Sequence, residues 1–331
     1  MLLAARRGKP YVSGLDRIRA FLSPTTVTMR RTLFLAACVM AMSACADSST
    51  VTRSGAAPAP PSLALAAGNT VSVVTEADVA RQAEDTPPTR SWVLYTRAGT
   101  TGEAGFTAGP GSPPLGHGSF RTLTPDAAAK VFLFNYDHVG TPLSTITGVS
   151  YSSYKTLGAA APAFPALNIQ VDINGGSFGT GEFRTFVWEP YNQPGFANTT
   201  LTWEQRDAYA GGNGVWWSTT GGAAGVATGG SRGCGQATPC SWTALLAAFP
   251  GATIVGGFGI NQGSGNPGID GNVDALSIAY GGNSITYDFE AFLTASERGD
   301  CTNGGWSVVR RGDGTAFRNQ GDCVSYVENG V

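Results

Sequence analysis

The chain has 331 residues, 13% of them charged, with 46 Gly and 19 Pro. That balance excludes a mostly helical protein and fits one large all-β domain. Seven of the 21 Lys and Arg but only one of the 23 acids, Asp16, precede Cys45, so the remainder has 14 basic and 22 acidic residues, a net charge near −8. Without basic runs, such a surface is a poor partner for nucleic acid, whose phosphates need clustered Lys and Arg.

Met29-Arg30-Arg31, the apolar run Leu33 to Met42 and Ser43-Ala44-Cys45 read as the charged, hydrophobic and cleavage regions of an export signal. The run is too short to span a bilayer as a helix. Residues 1–28 add nothing a signal needs, so Met29 is the expected start and the upstream segment a miscalled extension. Met42-Ser43-Ala44-Cys45 resembles a bacterial lipobox, with Met42 in place of the usual Leu. The resemblance implies a lipidated Cys45 and an envelope location; ordinary cleavage around Ala44-Cys45-Ala46 would instead release a secreted protein. Residues 46–69 are rich in Ser, Thr, Ala and Pro, a flexible tether. Thr75, Glu76 and Asp78 are placed to cap a short helix running through Ala83.

The domain is expected over residues 70–295. Ser91 to Tyr95 opens it, Gly105 to Phe120 reads as a Gly/Pro-rich connection, and KVFLFNY (130–136) as a central strand apolar on both faces. GVSYSSYK (148–155) alternates weakly, as an edge strand does. LNIQVDI (167–173) alternates cleanly: Leu167, Ile169, Val171 and Ile173 face a core, and Asn168, Gln170 and Asp172 form a hydrogen-bonding row. FRTFVWE (183–189) ends at the Pro190–Pro194 loop, TTLTWEQ (199–205) follows, and Trp216-Trp217 closes another segment. Trp242 to Phe249 has a short helical pattern. Residues 252–290 carry three strands, in which Ile254, Phe258 and Ile260, then Leu276, Ile278 and Tyr280, then Ile285, Tyr287 and Phe289 each share a parity. Gly281-Gly282-Asn283 makes the last two a hairpin. Strands with one apolar face must close over a second sheet, so the expected fold is an antiparallel two-sheet β-sandwich.

Setting aside Cys38 and Cys45 leaves four cysteines, an even number in an exported chain. Of the three pairings, only Cys234 with Cys240 and Cys301 with Cys323 avoids bridging the domain to its tail, residues 296–331. C-x5-C lacks the tight ligand spacing of a zinc knuckle.

Several segments together, among them GFTAGPGSPPLGHGSF, LNIQVDINGG, FVWEPYNQ, TWEQRDAYAGGNGVWWS and GFGINQGSGNPGIDGNVDALSI, resemble a recurrent domain of exported bacterial proteins over roughly Ser91 to Glu290. The resemblance implies a sandwich of jelly-roll or concanavalin-like shape, akin to carbohydrate-binding modules, and brings no activity with it. The segments around Cys301 and Cys323 are similar to a C-terminal cassette of other exported proteins, here with a longer spacer.

Catalytic patterns fail by context. Gly229-Gly230-Ser231-Arg232-Gly233 fits G-x-S-x-G but lacks the flanking strand and helix, and Gly263 to Gly268 fits G-x-G-x-x-G but is followed by a strand. His117 and His138 are the only histidines and read as surface residues. Glu189, Glu204 and Asp207 are carboxylates near aromatic residues, and a glycosidase would need two flanking one bond. Asp270, Asn272 and Asp274 share a strand face and are a candidate Ca²⁺ site, although Ala275 and Gly281 break the EF-hand pattern; Asp288 and Glu290 give a variant of the same idea. Two RGD tripeptides, Arg298 to Asp300 and Arg311 to Asp313, read as chance strings. Trp188, Tyr191, Trp203, Trp216 and Trp217 are candidates for stacking on sugar, or for packing between the sheets. The reading that results is a non-catalytic module for an extracytoplasmic glycan, with Asn168, Gln170, Asp172, Trp188, Tyr191, Trp216 and Trp217 as the ligand-binding set. A structural envelope protein and a glycan-cleaving enzyme are the alternatives, and no cofactor other than Ca²⁺ is expected.

Overall fold

The computed structural model describes residues 68–83, 86–158, 162–175, 182–219 and 230–330. The expected signal, Cys45, the tether and part of the G-x-S-x-G string lie outside these residues. The strands are β1 (Asn69–Val74), β2 (Val79–Arg81), β3 (Trp92–Thr96), β4 (Glu103–Ala108), β5 (Gly118–Thr124), β6 (Lys130–Asn135), β7 (Ile146–Gly158), β8 (Ala166–Asp172), β9 (Phe183–Trp188), β10 (Glu204–Asp207), β11 (Val215–Ser218), β12 (Cys240–Ser241), β13 (Thr253–Gly263), β14 (Ile269–Tyr280) and β15 (Asn283–Phe289). The helices are α1 (Trp242–Ala248), α2 (Arg298–Cys301) and α3 (Gln320–Asn329).

They form a two-sheet sandwich. One sheet runs β1-β15-β14-β5-β4, with β7 also on β14 and β10 on β7; the other runs β12-β11-β9-β8-β13-β6-β3-β2. All pairs are antiparallel except β1 with β15 and β2 with β3, both at sheet edges. The apolar parities meet as the sequence predicts: Leu133, Ile169, Phe258 and Ile260 of the second sheet share a core with Phe120, Val273, Ile278 and Tyr287 of the first. Each such side chain contributes on the order of 1.5–3 kcal/mol when fully buried. Trp92 joins the layers, its ring edge-on to Tyr287 at 4.8 Å and Phe289 at 5.5 Å.

The strand β14 carries the first sheet. From Ile269 to Val273 it lies between β5 and β7; from Leu276 to Tyr280 it lies between β15 and β7. The change of partner falls at a bulge after Asp274, where Ala275 takes a left-handed φ of 53°. Asp274 satisfies what the bulge leaves open: Oδ1 accepts from the Phe289 amide at 3.1 Å and Oδ2 from Leu115 at 2.9 Å. Burial pushes the Asp274 carboxyl up to about 6, and burial with the neighbouring charges of Glu290 and Asp274 pushes Asp288 up to about 7.

Local expectations are corrected where neighbours override pattern. The helix expected to Ala83 is one 3-10 turn, Glu76–Asp78, with Thr75 and Asp78 forming a capping box before β2 begins. The connection expected after Gly105 is partly strand, because β4 finds β5 as a partner. GVSYSSYK is interior rather than an edge, since β7 pairs with both β14 and β10; Ser153 and Lys155 are fully buried. Of TTLTWEQ only Glu204 and Gln205 are strand, at the start of β10. The helix expected at Trp242 forms as α1, its N-cap Ser241 accepting from Ala244.

The cysteine pairs are Cys234–Cys240 and Cys301–Cys323. The second ties α2 to α3 around a small core with Val309 and Phe317. Both RGD strings are used structurally. Asp300 accepts from the amides of Ser296 and Glu297, and Arg311 pairs with Asp322 at 2.7 Å while lying 4.6 Å from the Phe317 ring centre.

His138 is no surface residue: it is 3% exposed, with Nδ1 3.1 Å from the Tyr280 hydroxyl and Nε2 2.9 Å from that of Tyr287. It packs edge-on to Phe258. Burial lowers its pKa to about 4. The unfolded chain protonates His138 near its ordinary value of about 6.5, the folded chain only near 4. Its contribution is therefore complete above the first value and is lost as pH falls towards the second. Relative to His138→Gln, the wild type should lose roughly 3 kcal/mol across that interval, seen as a difference in the pH dependence of thermal melting. Parallel curves for the two proteins would show a histidine that is already charged in the fold.

Candidate ligand-binding cavity

The outward face of the β8-containing sheet holds the site. Register places Trp217, Val187, Asn168, Gly259, Phe134 and Val93 in one row across β11, β9, β8, β13, β6 and β3. Phe132 and Tyr95 extend the apolar patch one step along, in a cluster separate from the main core. Phe132 stacks on Tyr95 at 4.9 Å and on Phe134 at 4.3 Å. This explains why KVFLFNY is apolar on both faces: Leu133 faces the core, and Phe132 and Phe134 face a second apolar region outside it.

A bulge in β13 shapes the middle of this face. Between Ile254 and Phe258 the register with β8 shifts, and Gln170 holds the extra loop by accepting from the Gly257 amide at 2.6 Å. A Cβ on Gly257 would sit 2.4 Å from the Phe134 ring, so only glycine admits that ring against the strand. Over the patch, Pro87 and Pro88 form an apolar lip. Gln82 anchors it, donating to the Pro87 carbonyl at 2.9 Å and accepting from Thr89 at 3.0 Å.

Lip and face enclose a cavity of about 570 Å³, floored by Phe132 and Phe134 and walled on one side by Asn168, Gln170, Thr185 and Asn261. Lys130, also lining it, has its ammonium 5.9 Å from the Phe132 ring centre. Two of the wall groups are unsatisfied: Asn168 Oδ1 and Asn261 Oδ1 are buried without a hydrogen-bond partner, and Asn168 is 5% exposed. They lie two residues apart along the β8–β13 ladder. Paired amide groups at the edge of an apolar cavity suit a compact amphipathic ligand with its own hydrogen-bonding groups. No Asp or Glu is among the described residues that line the cavity, so its wall offers no carboxylate pair for acid–base work.

The expected ligand set is divided by this geometry. Asn168 and Gln170 line the cavity, but the Gln170 carbonyl is committed to the bulge. Asp172 is 1% exposed and accepts from the Asn174 amide, closing the turn after β8. Trp188 and Trp216, 2% and 0% exposed, point inward by strand parity, which corrects their assignment to a ligand surface. Tyr191 and Trp217 are half-buried and converge on Glu189 instead: Oε2 accepts from the Tyr191 hydroxyl at 2.6 Å, Trp217 Nε1 at 2.9 Å and Asn192 at 3.2 Å. Burial and that bond raise the Tyr191 phenol well above its ordinary range. Trp203 donates to the Pro110 carbonyl. Phe132, Phe134 and Asn261 were missed; the doubly apolar KVFLFNY strand was the signal for the two Phe, and Asn261 on β13 had none.

The enzyme and metal candidates do not assemble as trios. Glu189 directly follows β9, whereas Glu204 and Asp207 lie on β10 in the other sheet. Glu204 pairs with Arg206 at 2.8 Å, and Asp207 caps the amides of Tyr209 and Ala210. Of the calcium candidates, Asp270 forms a two-pronged pair with Arg121 at 2.8 and 2.9 Å, Asn272 donates to Ser119 at 2.9 Å, and Asp274 holds the bulge. Comparison with known proteins finds no matching family model, curated protein or solved structure.

An unpaired buried amide costs about 1–3 kcal/mol. Asn168→Leu should therefore melt at or above the wild type in a thermal scan. A marked fall in melting temperature would show that Asn168 is a structural partner.

Proposed function

We propose that this protein is an exported, lipid-anchored, non-catalytic binding module, and that its cavity takes one end of an extracytoplasmic glycan. The observation that carries the reading is the buried, unpartnered Oδ1 of Asn168, a residue in the wall of an apolar cavity. Sugars combine apolar C–H faces with hydroxyls that donate and accept, which is the combination of floor and wall found there. A volume of about 570 Å³ suits a terminal unit or two rather than the middle of a long chain. The export-type leader, the lipobox-like cysteine and two disulfides support an oxidising compartment outside the cytoplasm. No helix among the described residues is long and apolar enough to cross a membrane. A structural envelope role is the second reading, favoured by the near-complete burial of Phe132 and Phe134, at 6% and 4% exposure.

Glycan-array binding of the purified mature chain separates them. A binding module should retain selected glycans, and Asn168→Leu should weaken the best of them at least tenfold, about 1.4 kcal/mol, while remaining folded. Signal no higher than background across the array would put the structural reading ahead. The anchor is checked by mass spectrometry of the mature N-terminus, which should be a lipid-modified Cys45; an unmodified chain starting at Ala46 or Asp47 would remove it.

A further inference from the structure

On the outward face of the other sheet, beneath the loop from Gly109 to His117, three carboxylates are taken out of water. Asp274, Asp288 and Glu290 are 0%, 8% and 4% exposed. Asp288 and Glu290 alternate with Tyr287 and Phe289, whose rings enter the core, so their carboxylates emerge together on the outer side. The loop closes over them with backbone alone. Leu115 donates to Asp274 at 2.9 Å and His117 to Glu290 Oε1 at 2.6 Å.

Two glycines make that approach possible. A Cβ on Gly116 would fall 1.6 Å from Glu290 Oε1 and 3.1 Å from Asp288 Oδ1, and one on Gly118 would fall 2.8 Å from Glu290 Oε2. Gly116 also needs its positive φ of 48°. The loop thus lies directly against both carboxylates, which their spacing of two residues along the strand already sets on one face.

Apart from a hydrogen bond between the Asp288 and Glu290 carboxyls, which helps to raise the pKa of Asp288, their charge is left unanswered. Asp288 Oδ1 and Glu290 Oε2 are buried without a hydrogen-bond partner, and none of the three acids joins an ion pair among the described residues. The tail's Arg311 is committed to Asp322, and the only basic side chain on the loop, His117, is exposed with its Nε2 3.4 Å from where a Gly312 Cβ would be. Adjacent buried carboxylates without a counter-charge are strongly unfavourable, so the site requires a cation or a proton between them.

We propose that Asp288 and Glu290 bind a calcium ion, with Asp274 supplying a third negative charge behind them and water completing the coordination. Oxygen-only ligands select a hard cation, and calcium accepts an irregular ligand set more readily than magnesium. Among the described residues no three His, Cys, Asp or Glu side chains already surround a single point. The direct protein ligands are then two carboxylates, because both oxygens of Asp274 are turned to backbone amides. The ion would pin the Gly109–His117 loop to β14 and β15, and through His117 support the neighbouring turn of the disulfide-closed tail.

The test uses the full mature chain, stripped with EDTA at neutral pH and titrated with CaCl₂, followed by calorimetry and thermal melting. One site with a dissociation constant in or below the range of about 10⁻⁴–10⁻³ M seen in extracellular modules is expected, with a rise in melting temperature that magnesium reproduces only weakly. Asp288→Asn and Glu290→Gln should each abolish the calcium response while melting, without calcium, no lower than the stripped wild type, since an amide can donate to the remaining carboxylate. Absence of heat and of any melting shift in the wild type at about 10 mM calcium, well above that range, would overturn the site and leave a shared proton as the bridge.

Discussion

The sandwich depends on how β14 changes neighbours. A strand that pairs with β5 over its first half and with β15 over its second must release one ladder before it joins the other, and the amides at the crossing need partners. Asp274 provides them from its side chain, accepting from Phe289 where the new ladder ends and from Leu115 in the covering loop. The left-handed Ala275 supplies the extra residue. With the bulge in place, Leu276, Ile278 and Tyr287 reach the core together, and β7 stays paired along the opposite side of β14 through register shifts at Asp270, Asp274 and Ala279. The cost is a carboxylate buried beside two others.

The opposite sheet solves a different problem with a similar device. β6 lies between β13 and β3 and is apolar on both faces, so its outer rings must be shielded from water although no helix among the described residues packs there. The β13 bulge, its Gly257 pressed against Phe134, and the Pro87-Pro88 lip provide the shield. The cover is incomplete, and the remaining cavity is bounded on its far side by the hydrogen-bonding row of β8. Stacking of Phe132 with Tyr95 and Phe134 stabilises the floor without a ligand, so the site can be preformed.

The apolar alternation of LNIQVDI and of the three segments from 252 to 290 was legible because period two has one physical meaning when one face is buried. The cysteine pairs were legible for a related reason, since short loop closure favours local pairing. The sites were not, because they depend on bulges, and a bulge shifts the facing of every later residue without marking the sequence. Asp270, Asn272 and Asp274 look like one row on paper, but Arg121, Ser119 and the crossing at Asp274 claim them separately. Trp188 and Trp217 were grouped by residue type, whereas parity sends the first into the core and the second outward to Glu189. His138 was read as a surface residue, but its partners are Tyr280 and Tyr287, 142 and 149 residues away in sequence.

A folded protein rarely leaves a buried acceptor without a donor, so the places where it does are informative as a set. Five buried side-chain oxygens lack partners among the described residues, and four of them occur as two pairs: Asn168 with Asn261, and Asp288 with Glu290. The pairs lie on opposite outer faces of the sandwich, each beside a glycine-shaped approach, Gly257 in one case and Gly116 in the other. The fifth such oxygen, that of Gln262, lies between the sheets beside a bond from its own amide nitrogen to Thr124, and the indole nitrogens of Trp188 and Trp242 in the core also lack acceptors, so it is the pairing of oxygens on the outer faces that sets the two sites apart. The neutral pair borders an apolar cavity and calls for a ligand with hydroxyls; the anionic pair lies under backbone amides and calls for positive charge. The difference in chemistry between the two pairs is the reason they are assigned different occupants.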